Sequence, residues 1–519
     1  MKLAKRLLSL TLVLLMVLAL VACTTDPGKT SDTSKKPSTP GSDVMSGKTD
    51  DPGTVDPPVV PDFVLPDRPV SDMAEKEFII IQHGEIDNPF GYNIDSRMAE
   101  YANARLDEVK ALYNCEIEFE QVPYNDSFAN AMQQRVYMDN SGDMIFSTNN
   151  SKLRQALGTG PENSLMVDLL ALDNILNFWD MDKWGNIDSR ETMMAGGHFY
   201  GVTPALWIDR TPLPIYLLIY NKDMLERFNV PDLQEYWEKE EWDRDVMVDA
   251  ITRCYDDTGS DIIFGMAANI GHMVRATLLT TGKNLVEISK INADGTADWE
   301  FGMMSDDAQE ALLWLRQTLS TKTRYFNRGA ASWSWTVENS ANGGWGGTDA
   351  LVDGKSAMCL TRPDQLFTHV VTKVENFGLM LWAGADPNIV SGYYENACSV
   401  AIPVFAQNPE WSAFLAYDLF EGLGEIEKYS DVIDYYRETY FDTDLDVEFL
   451  LRDGVPMQYC YWPNKGDAWL TTVSTALPSS QSPNAILEKA RVEIVPVIEE
   501  YILPNKIALE AYRQAGKID

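Results

Sequence analysis

The chain has 519 residues, 45% of them hydrophobic and 11% aromatic, which excludes wholesale disorder and is enough for several large cores. Asp and Glu number 78 against 42 Lys and Arg, and the net charge of −36 argues against a nucleic-acid partner, because phosphate binding requires a basic surface. None of the four histidines forms an HExxH pair, so we expect no catalytic zinc and no cofactor.

The N-terminus has the pattern of a secretory signal. A basic start at residues 2–6 precedes an apolar run over 7–21, which is short for a membrane span. Residues 20–23 read LVAC, which resembles the lipobox of bacterial lipoproteins. The resemblance implies that 1–22 is a signal peptide and that Cys23 carries lipid such as palmitate. Such a protein sits on the cell surface, anchored to the outer face of the cytoplasmic membrane. The alternative is an ordinary signal peptide, or an uncleaved anchor, in which Cys23 is incidental.

A spacer follows. Residues 24–72 contain nine of the 26 prolines, and no aromatic residue occurs before Phe63. This composition cannot bury enough apolar surface to order itself, so we expect a disordered tether over 23–75.

The folded body begins near Glu77 with alternating strands and helices. The apolar run 78–81 is typical of a strand buried on both faces, and apolar spacing predicts a helix over 96–114. A strand over 116–120, a helix over 127–139 and a strand over 143–146 follow. This alternation predicts an α/β sheet with crossover helices.

In such sheets, ligands bind beyond the carboxyl ends of the strands. The segments that follow two of the predicted strands therefore face a site. They supply the candidate ligand contacts His83, Glu85, Asn149 and Asn150.

The remaining elements continue the pattern. We expect a strand over 213–220 and helices over 222–228, 243–255, 306–319 and 408–420. The chain from 482 is predicted to be helical, with breaks at Pro496 and Pro504.

Two groups of residues raise the question of metals or disulfides. Asp442, Asp444 and Asp446 have D-x-D-x-D spacing, but Val447 takes the place of the required Gly, so we interpret them as a solvated acidic loop. Five cysteines follow Cys23 at long spacings, and we expect mainly buried thiols, with one or two disulfides left open.

Four passages, in order along the chain, resemble the family 1 extracellular solute-binding proteins, which are the maltose-binding-protein-like receptors of ABC importers. They are 142–145 (GDMI), 198–204 (HFYGVTP) with 218–225 (LIYNKDML), 351–358 (LVDGKSAM), and 399–403 (SVAIP) with 408–415 (NPEWSAFL). Each passage alone is weak, but their order and spacing cover nearly the whole mature chain.

The resemblance implies an α/β, two-lobed periplasmic-binding-protein-like fold (type II, cluster D) with the ligand cleft between the lobes. It assigns 77–205 and 396–455 to lobe I, and 206–392 and 456–519 to lobe II. The lobes would close around the ligand by a hinge motion, because a ligand that touches both lobes favours the closed state.

A sugar requires aromatic faces and placed polar groups at a domain interface. The aromatic candidates are Trp207, Trp345, Tyr393, Tyr394 and Trp469, with core packing as the alternative for each Trp. The polar candidates are Asp209, Arg362, Asp364 and Glu395, although Arg362 and Asp364 could also form a structural ion pair. In the maltose-binding branch of the family, a ligand-stacking Trp stands near the position that Arg362 occupies in this chain. Because that Trp is missing here, we do not expect a maltose pocket.

The sequence therefore predicts a monomeric, lipid-anchored receptor, not an enzyme. Its expected partners are a carbohydrate, namely an oligosaccharide, the permease subunits of an ABC importer, and the bilayer. The alternatives are a surface glycoside hydrolase using two carboxylates, a receptor for a non-sugar solute such as a peptide, and a structural lipoprotein that has lost transport.

Overall fold

The chain divides into two units, Met1–Pro61 and Asp62–Asp519. The computed structural model describes residues within the second unit, and it does so over a set of ranges. These ranges are 63–83, 96–122, 128–138, 142–147, 153–158, 161–207, 217–327, 346–361, 366–386, 398–441, 443–451 and 467–518.

Thirteen strands occur in the described ranges. They are β1 (Glu77–His83), β2 (Glu116–Val122), β3 (Met144–Ser147), β4 (Met194–Ala195), β5 (His198–Phe199), β6 (Leu217–Asn221), β7 (Phe264–Ala267), β8 (Val286–Ile291), β9 (Ala297–Phe301), β10 (Phe326–Asn327), β11 (Ser356–Thr361), β12 (Phe377–Leu381) and β13 (Ser399–Ala401).

Eighteen α-helices accompany these strands in the same ranges. They are α1 (Val70–Met73), α2 (Ser96–Tyr113), α3 (Phe128–Met138), α4 (Asp173–Leu176), α5 (Met181–Trp184), α6 (Ile187–Glu191), α7 (Lys222–Arg227), α8 (Leu233–Glu238), α9 (Arg244–Arg253), α10 (Ile270–Leu279), α11 (Asp306–Thr321), α12 (Gly346–Val352), α13 (Pro409–Leu419), α14 (Tyr429–Thr439), α15 (Asp444–Leu451), α16 (Asp467–Ala476), α17 (Pro483–Val497) and α18 (Leu503–Gln514).

The first sheet has the strand order β13-β3-β1-β2. β1 pairs in parallel with β2 and β3, whereas β13 runs antiparallel to β3. Phe78, Ile80 and Ile81 are all buried, although successive side chains of a strand point to opposite faces. The strand is therefore covered on both faces, as its continuous apolar run predicts.

The second sheet has the strand order β10-β7-β11-β6-β12. β7 is parallel to β10 and β11, and β6 is antiparallel to β11 and β12. A Cβ atom at Gly265 would lie 1.8 Å from the carbonyl oxygen of Ile251, so glycine allows β7 to approach α9 closely. The two sheets confirm the predicted α/β class and give the chain two lobes, each built around its own sheet.

The elements predicted from apolar spacing in the first 150 residues are confirmed by β1, α2, β2, α3 and β3. The helices expected near 222, 243, 306 and 408 are confirmed as well, as α7, α9, α11 and α13. Side-chain caps explain where two of them begin: Ser305 accepts a hydrogen bond from the Ala308 N–H, and Asn408 accepts one from the Glu410 N–H.

The expectation of a disordered tether up to residue 75 is wrong for residues 63–75. Met73 is fully buried, and the Phe63 ring contacts the Tyr417 ring with centroids 5.9 Å apart. The Arg68 guanidinium binds the Asp418 carboxylate through two hydrogen bonds of 2.9 and 2.7 Å. We call residues 63–73 the N-terminal strap. A few long-range anchors order it despite its proline-rich composition.

The chain from 429 to 451, which we assigned to lobe I, packs on the second sheet. The Asp446 carboxylate accepts a hydrogen bond from the Leu379 N–H of β12, and Phe377 contacts Phe441 with ring centroids 6.1 Å apart. β12 is an edge strand, and α15 covers that edge.

The C-terminal part of the chain also departs from the predicted lobe assignment, because its last helix packs on the first lobe and not on the second. We assigned 456–519 to lobe II, and α16 and α17 do pack there, against α10 and α11. α18, however, contacts β4 of the first lobe. The breaks expected at Pro496 and Pro504 are also absent from the described chain, because the backbone stays helical from Pro483 to Gln514 through a π-helical turn at Ile498–Ile502.

The acidic stretch near 444 is not a solvated loop. It forms the helix α15, and Asp446 is only 1% exposed. Asp442 lies outside the described residues. Four cysteines lie in the described ranges, and all four are buried, as expected: Cys115, Cys254, Cys359 and Cys398.

Candidate functional site

The first lobe offers one sheet edge where chain segments converge. β1 and β3 are parallel, so their carboxyl ends meet at this edge, and His83 lies opposite Ser147. β13 runs in the opposite direction, and its first residue, Ser399, pairs with Ser147. Ser147 and Ser399 are both fully buried. We call this the first-lobe edge, and it is where ligands are expected in an α/β sheet.

The second sheet has a matching edge. The carboxyl ends of β7 and β10 meet there as Ala267 and Asn327. Thr361 at the end of β11 pairs with Leu217 at the start of β6, and Leu381 at the end of β12 pairs with the same residue. We call this the second-lobe edge. Asn327 and Thr361 are each 3% exposed, so polar groups are buried at it.

After β5, the chain passes from the first lobe to the second. Val202, which follows β5, exchanges two backbone hydrogen bonds of 3.0 and 2.8 Å with Val400 of β13. The chain then reaches Leu217, at the second-lobe edge, ten residues after Trp207. Ten extended residues span at most about 35 Å, so Trp207 of the first lobe and Leu217 at the second-lobe edge lie within that distance.

The predicted ligand contacts relate to these edges as follows. His83 is the last residue of β1 and lies at the first-lobe edge. Most of the others lie outside the described residues, on segments that adjoin the strand ends in the sequence. They are Glu85, Asn149, Asn150, Asp209, Trp345, Arg362, Asp364, Tyr393, Tyr394 and Glu395. Their roles stay predictions.

The two remaining candidates, Trp207 and Trp469, are fully buried. The Trp207 indole N–H donates to the Glu421 carbonyl at 3.1 Å, and its ring lies 5.0 Å from that of Phe420. Trp469 packs edge-on against Phe301 at 5.7 Å. Both rings lie in the core of their lobes, so neither offers an open face to a sugar in this structure. This is the core-packing alternative stated for each Trp.

The second-lobe edge also has a polar helix face that the sequence analysis did not single out. α10 starts three residues after β7 ends, and Asn269 caps it by accepting a hydrogen bond from the Gly271 N–H at 2.8 Å. Asn269, His272 and Arg275 repeat every third residue, so they share one face. All three are half-buried in a helix whose other side chains are buried. The i, i+3, i+6 spacing of polar residues in an apolar helix was the signal available in the sequence.

Residues of the first two family-like passages have structural roles. Asp143 of the first passage accepts hydrogen bonds from the Ile79 N–H at 2.9 Å and the Gln407 N–H at 3.1 Å. Burial raises the pKa of this carboxyl, and the two backbone hydrogen bonds act in the opposite direction. Asn221 of the second passage caps α7. Asp143 and Asn221 therefore stabilise the fold.

Open cavities of about 350 and 650 Å³ lie among the described residues. The smaller is lined by the stretch from Lys222 to Asp232, beyond the end of β6 that is remote from Leu217. The larger lies at the amino-terminal ends of β1 and β2, beside Lys110 and Cys115. Both therefore lie away from the two edges.

Within the described ranges, no group of three or more His, Cys, Asp or Glu side chains is arranged to hold a metal ion. No helix in this part of the chain is both long and apolar enough to cross a bilayer.

No protein-family model matches the sequence, and no curated protein matches it either. The structure, in contrast, resembles solved ABC solute-binding proteins. One is an ABC substrate-binding protein from Listeria monocytogenes in complex with cycloalternan, with 15% identity and a TM-score of 0.53 over 82% of this chain and 99% of that one. Another is the GacH receptor of Streptomyces glaucescens, solved unliganded and with acarbose, with 13% identity and a TM-score of 0.54 over 82% and 99%.

A third similar structure is the cyclic alpha-maltosyl-1,6-maltose binding protein from Arthrobacter globiformis, with 13% identity and a TM-score of 0.54 over 84% of this chain and 99% of that one. Likeness at this identity establishes the fold. The chain thus has the two-lobed fold of the maltose-binding-protein type, as the resemblance of its four passages implies. These neighbours are binding proteins and not enzymes.

Proposed function

We propose that this chain is a solute-binding receptor that binds a carbohydrate, specifically an oligosaccharide, between its lobes. The premise is that the chain has the fold of carbohydrate-binding proteins of ABC importers. The observation that carries the proposal is the arrangement of the two sheets. Each turns the carboxyl ends of its parallel strands to one edge, and the chain that follows the Val202–Val400 pair in the first lobe leads to Leu217 at the second-lobe edge. A ligand that contacts both edges favours the closed state over the open one.

The choice of carbohydrate rests on the neighbours and on the chemistry near the edges. The similar proteins were solved with cycloalternan or acarbose, or are named for binding a cyclic maltosyl-maltose. Polar groups at the second-lobe edge, on the face of α10, suit the hydroxyl groups of a sugar. Asn269 and His272 supply donors and acceptors, and Arg275 supplies donors.

The anchoring and the partners follow from the sequence. The LVAC run at 20–23 supports lipidation of Cys23 and a position on the outer face of the cytoplasmic membrane. Two or more acyl chains hold a protein stably on a bilayer, whereas one does so only marginally. We propose that the receptor, as a monomer, delivers its ligand to the permease of an ABC importer.

The proposal is tested by thermal unfolding of the purified protein with a panel of monosaccharides, oligosaccharides, amino acids and peptides. A ligand at 100 times its dissociation constant adds about 2.7 kcal/mol to the free energy of unfolding, which raises Tm by a few degrees. We expect such a rise with one class of oligosaccharide and no release of reducing ends. A rise in Tm with peptides alone would mean that the ligand is a peptide and not a carbohydrate. Release of reducing ends would favour the glycoside hydrolase.

A matched pair of variants assigns the site. Arg275→Ala removes a polar group of the α10 face, and we expect it to diminish the ligand-induced rise in Tm. Lys239→Ala removes an exposed lysine that pairs with Glu235 on α8 of the same lobe, and the rise should stay unchanged. An equal rise in both variants would remove the α10 face from the site.

A further inference from the structure

The C-terminal helical segment is anchored in both lobes. Its first part, α17, buries Ile486, Leu487, Ala490 and Ile494 and packs against α16 and α11 of the second lobe. Its last part, α18, packs against the β4–β5 hairpin of the first lobe. Thirty-two helical residues at 1.5 Å each give a segment about 48 Å long. It connects the lobes as one continuous helical run, in addition to other passages of the chain between them, such as those from Trp207 to Leu217 and from β12 to β13.

The attachment to the first lobe centres on Asn505, which is fully buried. Its side-chain amide donates to the Met194 carbonyl at 2.9 Å, and its oxygen accepts from the Gly197 N–H at 3.1 Å. The Tyr512 hydroxyl donates to the Gly197 carbonyl at 3.1 Å. A Cβ atom at Gly197 would come within 3.0 Å of the Ala508 Cβ, so the hairpin turn and α18 are in close contact.

More contacts hold the same surfaces together. Lys506 pairs with Glu191, a residue only 4% exposed, at 2.9 Å. The Tyr512 ring lies 5.3 Å from that of Trp179 and 5.9 Å from that of Phe199. This hairpin leads directly to Val202, where the chain begins its crossing between the lobes. α18 therefore packs on the first lobe next to the point where the chain leaves for the second lobe.

The middle of the segment is built differently from its ends. Residues Ile498–Ile502 form a π-helical turn, in which the Leu503 N–H donates to the Ile498 carbonyl. Pro496 and Pro504 flank the turn, and neither has an N–H for the carbonyl four residues earlier. Helices bend preferentially at prolines and at π turns, so this is the place where the segment yields most easily.

We propose that this segment couples the two lobes mechanically, that it bends at Ile498–Ile502 when the lobes move, and that Asn505 is the positioning residue that transmits the motion to the hairpin before the crossing. The coupling depends on the proposed function in one respect: closure of the lobes around a ligand would act through this segment. Its test needs no ligand, so failure to bind a carbohydrate and failure of the coupling are separate results.

Two measurements on the purified protein test the coupling. The first is amide hydrogen exchange, which reports local opening. We expect the amides of 498–502 to exchange about tenfold faster than those of 486–494 and 506–512, because the turn opens without unfolding the lobes. The second is the distance distribution between spin labels on noncanonical residues at Glu118 of the first lobe and Ile262 of the second, both of which are exposed.

Variants of the anchor and the turn should act in opposite directions. Asn505→Ala removes both hydrogen bonds to the hairpin, so we expect faster exchange over 194–199 and 498–502 and a broader label distance distribution. Asn505→Asp keeps the acceptor for Gly197 but places a carboxylate oxygen against the Met194 carbonyl, so it should loosen the anchor at least as much as Asn505→Ala does. Pro496→Ala restores a helical N–H, and we expect slower exchange at the turn and a narrower distribution.

Glu510→Gln is the matched control, since it alters an exposed side chain of α18 that pairs only at the surface with Arg513 and Gln514. It should leave both measurements unchanged. If Asn505→Ala does not fold, Tyr512→Phe removes one hydrogen bond to Gly197 and should produce the same pattern more weakly. A lower Tm for Asn505→Ala with an unchanged distance distribution would overturn the coupling and leave a merely structural contact.

Discussion

Asp446→Ala is expected to lower the free energy of unfolding by about 3 kcal/mol, because it leaves buried donors without their acceptor. The Asp446 carboxylate accepts hydrogen bonds from the Leu379 N–H at 2.7 Å, the Gln234 side-chain amide at 2.7 Å and the Thr443 hydroxyl at 2.8 Å. Burial raises the pKa of this carboxyl, and the hydrogen bonds act against that rise. Urea denaturation followed by circular dichroism measures the loss.

Asp444→Ala is the control for this prediction, because Asp444 begins the same helix and shares the same acidic motif. Its side chain is 84% exposed and pairs with Arg437, so its loss should cost less than about 1 kcal/mol. Equal costs for the two aspartates would show that α15 does not cover the edge of the second sheet as described.

Asp418→Ala should destabilise the first lobe by about 2 kcal/mol, since it leaves the buried Tyr113 hydroxyl without its acceptor and removes the carboxylate that binds the partly exposed Arg68. Asp418 binds Arg68 of the N-terminal strap and accepts a hydrogen bond from the Tyr113 hydroxyl at 2.6 Å. The same change should expose residues 63–73 to protease, because Arg68 then loses its bidentate partner. Denaturation and limited proteolysis with mass spectrometry measure the two effects.

Arg437→Met provides the comparison, because Arg437 also forms an ion pair with two aspartates but does so at the surface. It should cost less than about 1 kcal/mol and leave the strap resistant to protease. If protease cuts within 63–73 equally fast in the unaltered protein and in Asp418→Ala, the strap is not held by this ion pair.

Local patterns in the sequence were sufficient for most of the fold. The apolar run of β1, the helical spacing of α2 and the Asn-Pro start of α13 each act over a few residues, and periodicity and capping report such interactions directly. The strap was missed because its order depends on Arg68 and Asp418, which are 350 positions apart. A composition rule has no access to a pairing at that separation.

The same distinction explains the lobe boundaries and the acidic motif. Asp446 is buried only because α15 lies on the edge strand β12, so its three alternating aspartates give no local sign of burial. α18 returns to the first lobe because Asn505 fits the hairpin turn at Gly197. Both are tertiary contacts between distant segments, and such contacts override local preference.

The sequence predicted where the candidate site lies in the first lobe better than it predicted which side chains line it. Parallel strands place their carboxyl ends together, so the first-lobe edge could be inferred from β1 and β3 alone. Trp207 and Trp469 were chosen for residue type, and type does not separate a buried ring from an open one. The α10 face depends on how one helix sits on β7, which a motif search does not measure.

The most direct test of the account is a titration of the purified protein with the oligosaccharide that raises Tm, followed by small-angle X-ray scattering. If the carbohydrate binds between the lobes, saturation should reduce the radius of gyration, and the reduction should follow the fraction of protein bound. Saturation without any reduction would contradict binding between the lobes, and release of reducing ends during the titration would contradict a receptor.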